Sequence, residues 1–170
     1  MIVVDISKCT GCRRCETACA FYHTGKTNRK LSRIKVINIY DKGVDAPVVC
    51  MQCEERFCAQ CPADAIRIGV HGEVLVSPTL CVECGACERN CPVGAIELFD
   101  GIPFVCDLCG GNPRCIEACT QGALSYEPEE HISLKNHKKE TEGMEPSEKR
   151  YHHVSMEGSE LREHWRVKND

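Results

Sequence analysis

Sixteen cysteines, all between Cys9 and Cys119, fall into four groups of four with none left over. The first group, CTGCRRCETAC, places Cys9, Cys12, Cys15 and Cys19 at the spacing C-x2-C-x2-C-x3-C. The third, CVECGACERNCP, repeats that spacing at Cys81, Cys84, Cys87 and Cys91. The second, CMQCEERFCAQCP, is C-x2-C-x4-C-x2-C at Cys50, Cys53, Cys58 and Cys61. The fourth, CDLCGGNPRCIEAC, is C-x2-C-x5-C-x3-C at Cys106, Cys109, Cys115 and Cys119. Thiolates are soft ligands, and two residues between them let a tight loop aim both sulfurs at one inorganic centre. Gly11, Gly85 and Gly110 permit the turns this requires.

Other uses of cysteine fit less well. Disulfide frameworks belong to exported chains, and MIVVDISKC shows no basic stretch, apolar run and cleavage site of the kind a signal peptide carries. Structural zinc uses two separated pairs, and the triplets Cys9/Cys12/Cys15 and Cys81/Cys84/Cys87 exceed that need. The run C-x2-C-x2-C-x3-C-P, by contrast, is the spacing that binds iron–sulfur clusters in bacterial two-cluster ferredoxins, where the fourth cysteine serves the other cluster. Each such group is therefore expected to feed two clusters.

The segments between the groups must position them. PADAIRIGVHGEVLVSPTLC predicts a helical turn, a strand over residues 66–70, a turn at His71-Gly72 and a returning strand over 74–76. PVGAIELFDGIPFVC repeats the pattern around Asp100-Gly101, TQGALSY supplies one more short strand, and RIKVINIY in the insertion after Cys19 reads as a strand over 33–40. Residues 127–170 carry no cysteine, 8 Lys+Arg and 11 Asp+Glu, with only scattered apolar residues. Such a segment cannot fold alone, so it is disordered or lies along the core or a partner. The formal net charge of -4 argues against nucleic acid, and no apolar run is long enough to span a membrane.

With these groups in place the sequence resembles the four-cluster ferredoxin-like subunits of molybdenum- and tungsten-dependent oxidoreductases. The resemblance covers about residues 1–126 and rests on group order, the widened second and fourth groups, and the dipeptides Ala65-Ile66, Ala95-Ile96 and Ala123-Leu124. CDLCGGNPRCIEACTQGAL is most similar to the small electron-transfer subunits of aldehyde oxidoreductase-type tungsten enzymes, including class II benzoyl-CoA reductases. It implies an α+β fold of two nested two-cluster ferredoxin modules, with short hairpins and helices around the clusters and an extended C-terminal tail. The inner module would span about 46–100, the outer 1–45 plus 101–126, and the polar extension 127–170. Four [4Fe-4S] clusters would then be held by Cys50, Cys53, Cys58 and Cys91; by Cys81, Cys84, Cys87 and Cys61; by Cys9, Cys12, Cys15 and Cys119; and by Cys106, Cys109, Cys115 and Cys19. The hairpin length between Cys61 and Cys81 independently suits adjacent pairing of the inner two groups.

Two departures qualify the pattern. Only Ala59 and Gln60 separate Cys58 from Cys61, which admits a [3Fe-4S] cluster or zinc at the Cys50/Cys53/Cys58 site. Ala20 and Thr120 stand where Pro62 and Pro92 follow the other groups, which should alter a helix start.

No phosphate-binding glycine motif or catalytic constellation accompanies the cysteines, and sites closed by four thiolates leave no open iron for substrate. The expected role is non-catalytic: single-electron relay between a large tungsten- or molybdenum-pterin catalytic subunit and an external carrier or flavin subunit, in the cytoplasm. A free soluble polyferredoxin or a zinc-binding module are the alternatives, and the long tail speaks for a subunit over a free carrier. Lys8, Arg13, Arg14, Arg56, Arg89 and Arg114 lie close to ligands and are candidates for offsetting cluster charge. The basic run Lys26, Arg29, Lys30, Arg33 and Lys35 is either a docking patch or a solvated loop. His131, His137, His152, His153 and His164 match no standard metal spacing and read as exposed. Tyr22 and Phe57 should shield clusters, and Trp165 is a candidate anchor on a partner.

Overall fold

The computed structural model describes residues 1–128 and 132–169, with side chains through residue 164. His131 and the Trp165 side chain therefore lie outside the described residues. The chain alternates cysteine loops with very short elements. Strand β1 (Ile2–Val4) leads into the first loop, which ends in helix α1 (Arg14–Thr24). Strands β2 (Lys35–Ile39) and β3 (Val44–Val48) form a hairpin ahead of the second group. Strands β4 (Ile66–Ile68) and β5 (Val74–Val76) follow it, then α2 (Ala86–Asn90) within the third group and the hairpin β6 (Glu97–Phe99) and β7 (Ile102–Phe104). The fourth group contains α3 (Arg114–Glu117), and β8 (Leu124–Tyr126) closes the cysteine-bearing part. The last two helices are α4 (Lys135–Glu140) and α5 (Pro146–Asn169).

Among the described residues all four sheets are two-stranded and antiparallel, and the pairing β1 with β8 joins the two ends of the cysteine-bearing part, Val3 opposite Ser125. The β6–β7 turn has Asp100 and Gly101 both at positive φ, the geometry of a two-residue hairpin loop. Strand β4 is shorter than the sequence pattern suggests. It stops at Ile68 because Gly69 packs directly against the Glu73 side chain, where any Cβ would collide, and the Gly69 N–H donates to Glu73 O at 2.9 Å to close the turn.

The core divides in two. One cluster gathers Cys58, Cys87 and Cys91 with Ile66, Val74, Val93, Ile96, Val105, Leu134 and Val154. The other gathers Cys15, Cys19 and Cys115 with Ile2, Ile34, Val49, Leu108 and Leu124. The β2–β3 hairpin stands between them: Val36 packs into the second cluster, whereas Ile39, Val44, Ala46 and Val48 pack into the first. The insertion after Cys19 is thus a shared wall.

Residues 132–164 lie along the core, and polar side chains do much of the holding. Lys138 and Lys149 donate to Arg89 O (3.2 and 2.8 Å), Thr141 Oγ1 to Pro92 O (2.9 Å) and Arg150 Nη1 to Gly94 O (2.8 Å). Arg89 O is among the last carbonyls of α2, where unpaired acceptors and the helix dipole favour a cation. On the other side Glu54 N–H donates to Ile132 O (3.0 Å), and the Glu55 carboxylate accepts from Ser133 Oγ and Leu134 N–H. Lys149 is 1% exposed and Val154 wholly buried. The tail thus grips the segment around Cys91 and the loop just after Cys53. No helix among the described residues is long and apolar enough to cross a membrane.

Candidate metal centres

Each group begins with the same backbone device. The residue just before the second cysteine has positive φ in all four: Gly11 (64°), Gln52 (47°), Glu83 (56°) and Leu108 (54°). A left-handed residue inside such a loop turns successive N–H groups inward into an anion-binding nest. A second device recurs three residues after the fourth cysteine, where Asp64 (50°), Gly94 (65°) and Gly122 (63°) are left-handed. The following alanine then donates its N–H to sulfur: Ala95 to Cys91 Sγ at 3.2 Å and Ala123 to Cys119 Sγ at 3.3 Å. The first group departs from this. There α1 runs on to Thr24, and Cys19 Sγ accepts from the distant Arg33 N–H at 3.3 Å; the missing proline alone does not explain this, because Thr120 follows Cys119 and the fourth group keeps the device.

The loops bring cysteines together across the sequence. One small cavity is lined by Cys9, Cys12, Cys15 and Cys119. Another is lined by Cys61, Cys81, Cys84 and Cys87. The shortened spacing from Cys58 to Cys61 is taken up by a single 3₁₀ turn over Phe57–Ala59, where the third group uses α2. In the interior, burial raises the Cys58 thiol pKa, with Cys50, Cys91 and Cys53 adding to the effect. Burial likewise pushes Cys115 up to about 12, with Cys19 and Cys109 as the nearest contributing thiols. Cys106 is raised chiefly by burial and then by Cys50, and Cys15 contributes at Cys115. The two cavities thus each draw one cysteine from a distant group, Cys119 with the first and Cys61 with the third, while the thiols of Cys50, Cys53, Cys58 and Cys91, and those of Cys19, Cys106, Cys109 and Cys115, lie near enough to influence one another. Cys12 and Cys84 are exposed.

This donor set fits iron–sulfur clusters. Burial pushes Cys15, Cys50 and Cys115 from an ordinary 9 to about 12, a penalty of ~4 kcal/mol on each bare thiolate that metal ligation and inward N–H groups offset. All sixteen thiols are free of disulfides.

Five of the six charged candidates have other partners. Arg56 Nη1 donates to Gly72 O at 2.7 Å, Arg89 Nη1 to Cys84 O at 3.0 Å, and Arg13 to the buried Glu16 and to Asn38. Glu16 Oε1 in turn accepts from Val36 N–H at 2.7 Å, tying the first loop to the wall. Lys8 pairs with Asp5 and Arg114 with Glu117. Part of the basic run is internal rather than a docking patch: Arg33 pairs with Asp107 and Lys35 with Glu97. Tyr22 is half exposed, with Arg114 over its ring at 5.4 Å, and Phe57 packs on the core.

Two groups escaped sequence reasoning. His23 Nε2 lies 3.7 Å from Cys109 Sγ and 3.5 Å from Asp107 Oδ1. His137, His152 and His153 are not the exposed residues expected: α4 and α5 bring the His137 ring 5.4 Å from His152, tilted, and 5.2 Å from His153, edge-on. Burial lowers the His153 pKa to about 4 and raises Glu157, 3.3 Å away, to about 7. His137 and His152 stand fifteen positions apart, and only the helix packing unites them.

The chain is similar to known iron–sulfur proteins. Residues 1–24 and 74–97 each match the 4Fe-4S binding domain family. The chain is 39% identical over 122 residues to the polyferredoxin-like subunit of aliphatic sulfonate oxidoreductase from Pyrococcus furiosus, covering 69% of this chain and 70% of that one. It is 39% identical over 138 residues to the putative electron transport protein YsaA of Escherichia coli, covering 72% and 86% respectively. Among solved structures, a chain of the active-site complex BamBC of benzoyl-coenzyme A reductase aligns with a TM-score of 0.44 and 27% identity over 74% of this chain and 76% of that one. On the cysteine loops and these relatives, the chain belongs to the ferredoxin-like family of multi-cluster 4Fe-4S proteins that serve as electron-transfer subunits of oxidoreductases.

Proposed function

We propose that this chain conducts single electrons between a tungsten- or molybdenum-pterin catalytic subunit of aldehyde oxidoreductase type and an external carrier. The observation that carries this reading is the pair of cavities that each gather four cysteines across the sequence, each including an exposed cysteine, Cys12 in one and Cys84 in the other. Bound [4Fe-4S] clusters would supply reversible one-electron redox chemistry. The ligand sets we assign are Cys9, Cys12, Cys15 and Cys119; Cys106, Cys109, Cys115 and Cys19; Cys50, Cys53, Cys58 and Cys91; and Cys81, Cys84, Cys87 and Cys61. The two hydrophobic clusters support two nested modules, about 46–100 inside and 1–45 with 101–126 outside, with 127–170 as a bracing extension.

The chain's own part is to hold and insulate. Left-handed residues aim N–H groups into each loop, Ala95 and Ala123 donate to ligand sulfurs, and the apolar residues around Cys58, Cys87 and Cys115 keep water from the interior sites. Lower local polarity and fewer water dipoles reduce the reorganisation each transfer requires. Val82 and Leu80 are exposed beside Cys84, which suits close approach by a partner. The tail is occupied by this chain's own core, so it does not separate a bound subunit from a free carrier; the exposed cysteines and the oxidoreductase-subunit relative support the subunit. A reducing compartment such as the cytoplasm is where sixteen thiols stay available for iron.

The test is anaerobic purification of the protein from its native source. Co-elution with a large subunit containing tungsten or molybdenum is expected, and a cluster-loaded monomer with no such partner would overturn the assignment.

A further inference from the structure

The tail carries a second constellation that the electron path does not use. His137 and Glu140 sit one turn apart on α4, which places them on the same face. His152 on α5 meets them, and one ligand atom from each of the three lies within 4.8 Å of the other two. Two ring nitrogens there, His137 Nε2 and His152 Nδ1, are buried and have no hydrogen-bond partner. A buried polar atom left unpaired costs ~1–3 kcal/mol, so two of them side by side call for an occupant. His153, whose ring also faces His137, directs its Nε2 to Glu157 instead and is not counted as a ligand.

We propose that His137, Glu140 and His152 bind a divalent transition-metal ion of the zinc class. Two imidazoles and one carboxylate are a common zinc donor set, and three protein ligands leave a fourth position for water. Glu140 is exposed, and His152 also lines an open groove with Met144, Ser147 and Tyr151, so solvent can reach the site. The ion would join α4 to α5, the two helices whose Lys138, Lys149 and Arg150 hold the carbonyls of Arg89 and Gly94 beside Cys91. It would lock the brace onto the core while leaving the cysteine quartets untouched.

Anaerobically purified, cluster-loaded full-length protein is titrated with Zn²⁺ by calorimetry, alongside a His137→Gln/His152→Gln double variant, Glu140→Gln, and His164→Gln as a control on the same helix. Loss of a ligand should weaken binding at least as much as loss of a partner behind the ligand, about tenfold or more. The wild type and His164→Gln should take up one equivalent, and the double variant and Glu140→Gln should bind at least tenfold more weakly. Unchanged iron and sulfide content shows that each variant is folded. Hydrogen exchange across residues 135–160 should slow with Zn²⁺ only in the proteins that bind it. No saturable binding by the wild type, or equal affinity in the double variant, overturns the proposal.

Discussion

Replacing Gly94 with alanine separates the tail's grip from the turn that it holds, and Gly122 provides the matched control. Both glycines stand three residues after the last cysteine of their group, at φ 65° and 63°. A Cβ in the left-handed region costs ~1–2 kcal/mol at either position. At Gly122 that Cβ meets nothing within 4 Å. At Gly94 it falls inside the contact radius of Pro146 O and 3.2 Å from Arg150 Cγ, and a backbone carbonyl cannot swing aside. The first turn of α5 must shift, taking with it the 2.8 Å bond from Arg150 Nη1 to Gly94 O. A lost hydrogen bond from a charged donor is worth ~1.5–3 kcal/mol. The excess cost of Gly94→Ala over Gly122→Ala is therefore about 2 kcal/mol, or about thirtyfold in the opening equilibrium of α5. Hydrogen exchange of cluster-loaded protein reads this directly. Amides of residues 146–160 should exchange about thirtyfold faster in Gly94→Ala and at the wild-type rate in Gly122→Ala. Equal exchange in the two variants would refute the idea that α5 is seated on the Cys91 loop.

Further outcomes follow from the ligand geometry and the buried titrating groups. Both neighbours of His23 Nε2, the sulfur of Cys109, which we assign as a ligand, and the Asp107 carboxylate, are acceptors, so that nitrogen carries the proton. His23→Phe should lower the potential of the cluster at Cys106/Cys109/Cys115 by about 40 mV, a differential of ~1 kcal/mol, with the other three unmoved in a redox titration followed by electron paramagnetic resonance. Cys91→Ser should disturb the cluster of Cys50, Cys53 and Cys58, whereas Cys61→Ser should disturb that of Cys81, Cys84 and Cys87. Spectra showing each change at the cysteine's own group would refute the crossed ligand sets. Glu157, raised from 4.5 to about 7, stays protonated in the folded chain where the unfolded chain ionises, so its contribution is full below pH 4.5 and is lost as pH rises through 7. Because its side chain is 38% exposed, the loss is screened to about 1 kcal/mol or less. Glu157→Gln should therefore protect α5 from exchange at pH 8 relative to the wild type and make little difference at pH 4.

The cysteine spacing made the metal chemistry legible, because ligand geometry constrains sequence more tightly than packing does. The hairpins were legible for a related reason: Asp100-Gly101 and the alternation around it state a turn and two faces. The repeated left-handed positions were hidden because Gln52, Glu83 and Leu108 occupy them where only Gly11 advertises the conformation. The tail's packing was hidden too. Lys149 and Arg150 are buried by hydrogen bonds to main-chain carbonyls, an interaction that leaves no apolar period to read. The histidines failed as a signal since α4 and α5 bring them together only in three dimensions.

The central claim is four clusters with crossed ligands. Diffraction from anaerobically grown crystals at the iron absorption edge tests it most directly. Four compact iron peaks are expected, each touching one cysteine from a distant group, with Cys61 on the cluster of Cys81, Cys84 and Cys87. Fewer than four iron peaks, zinc in place of iron at the Cys50/Cys53/Cys58 site, or a cluster ligated within a single group would contradict it.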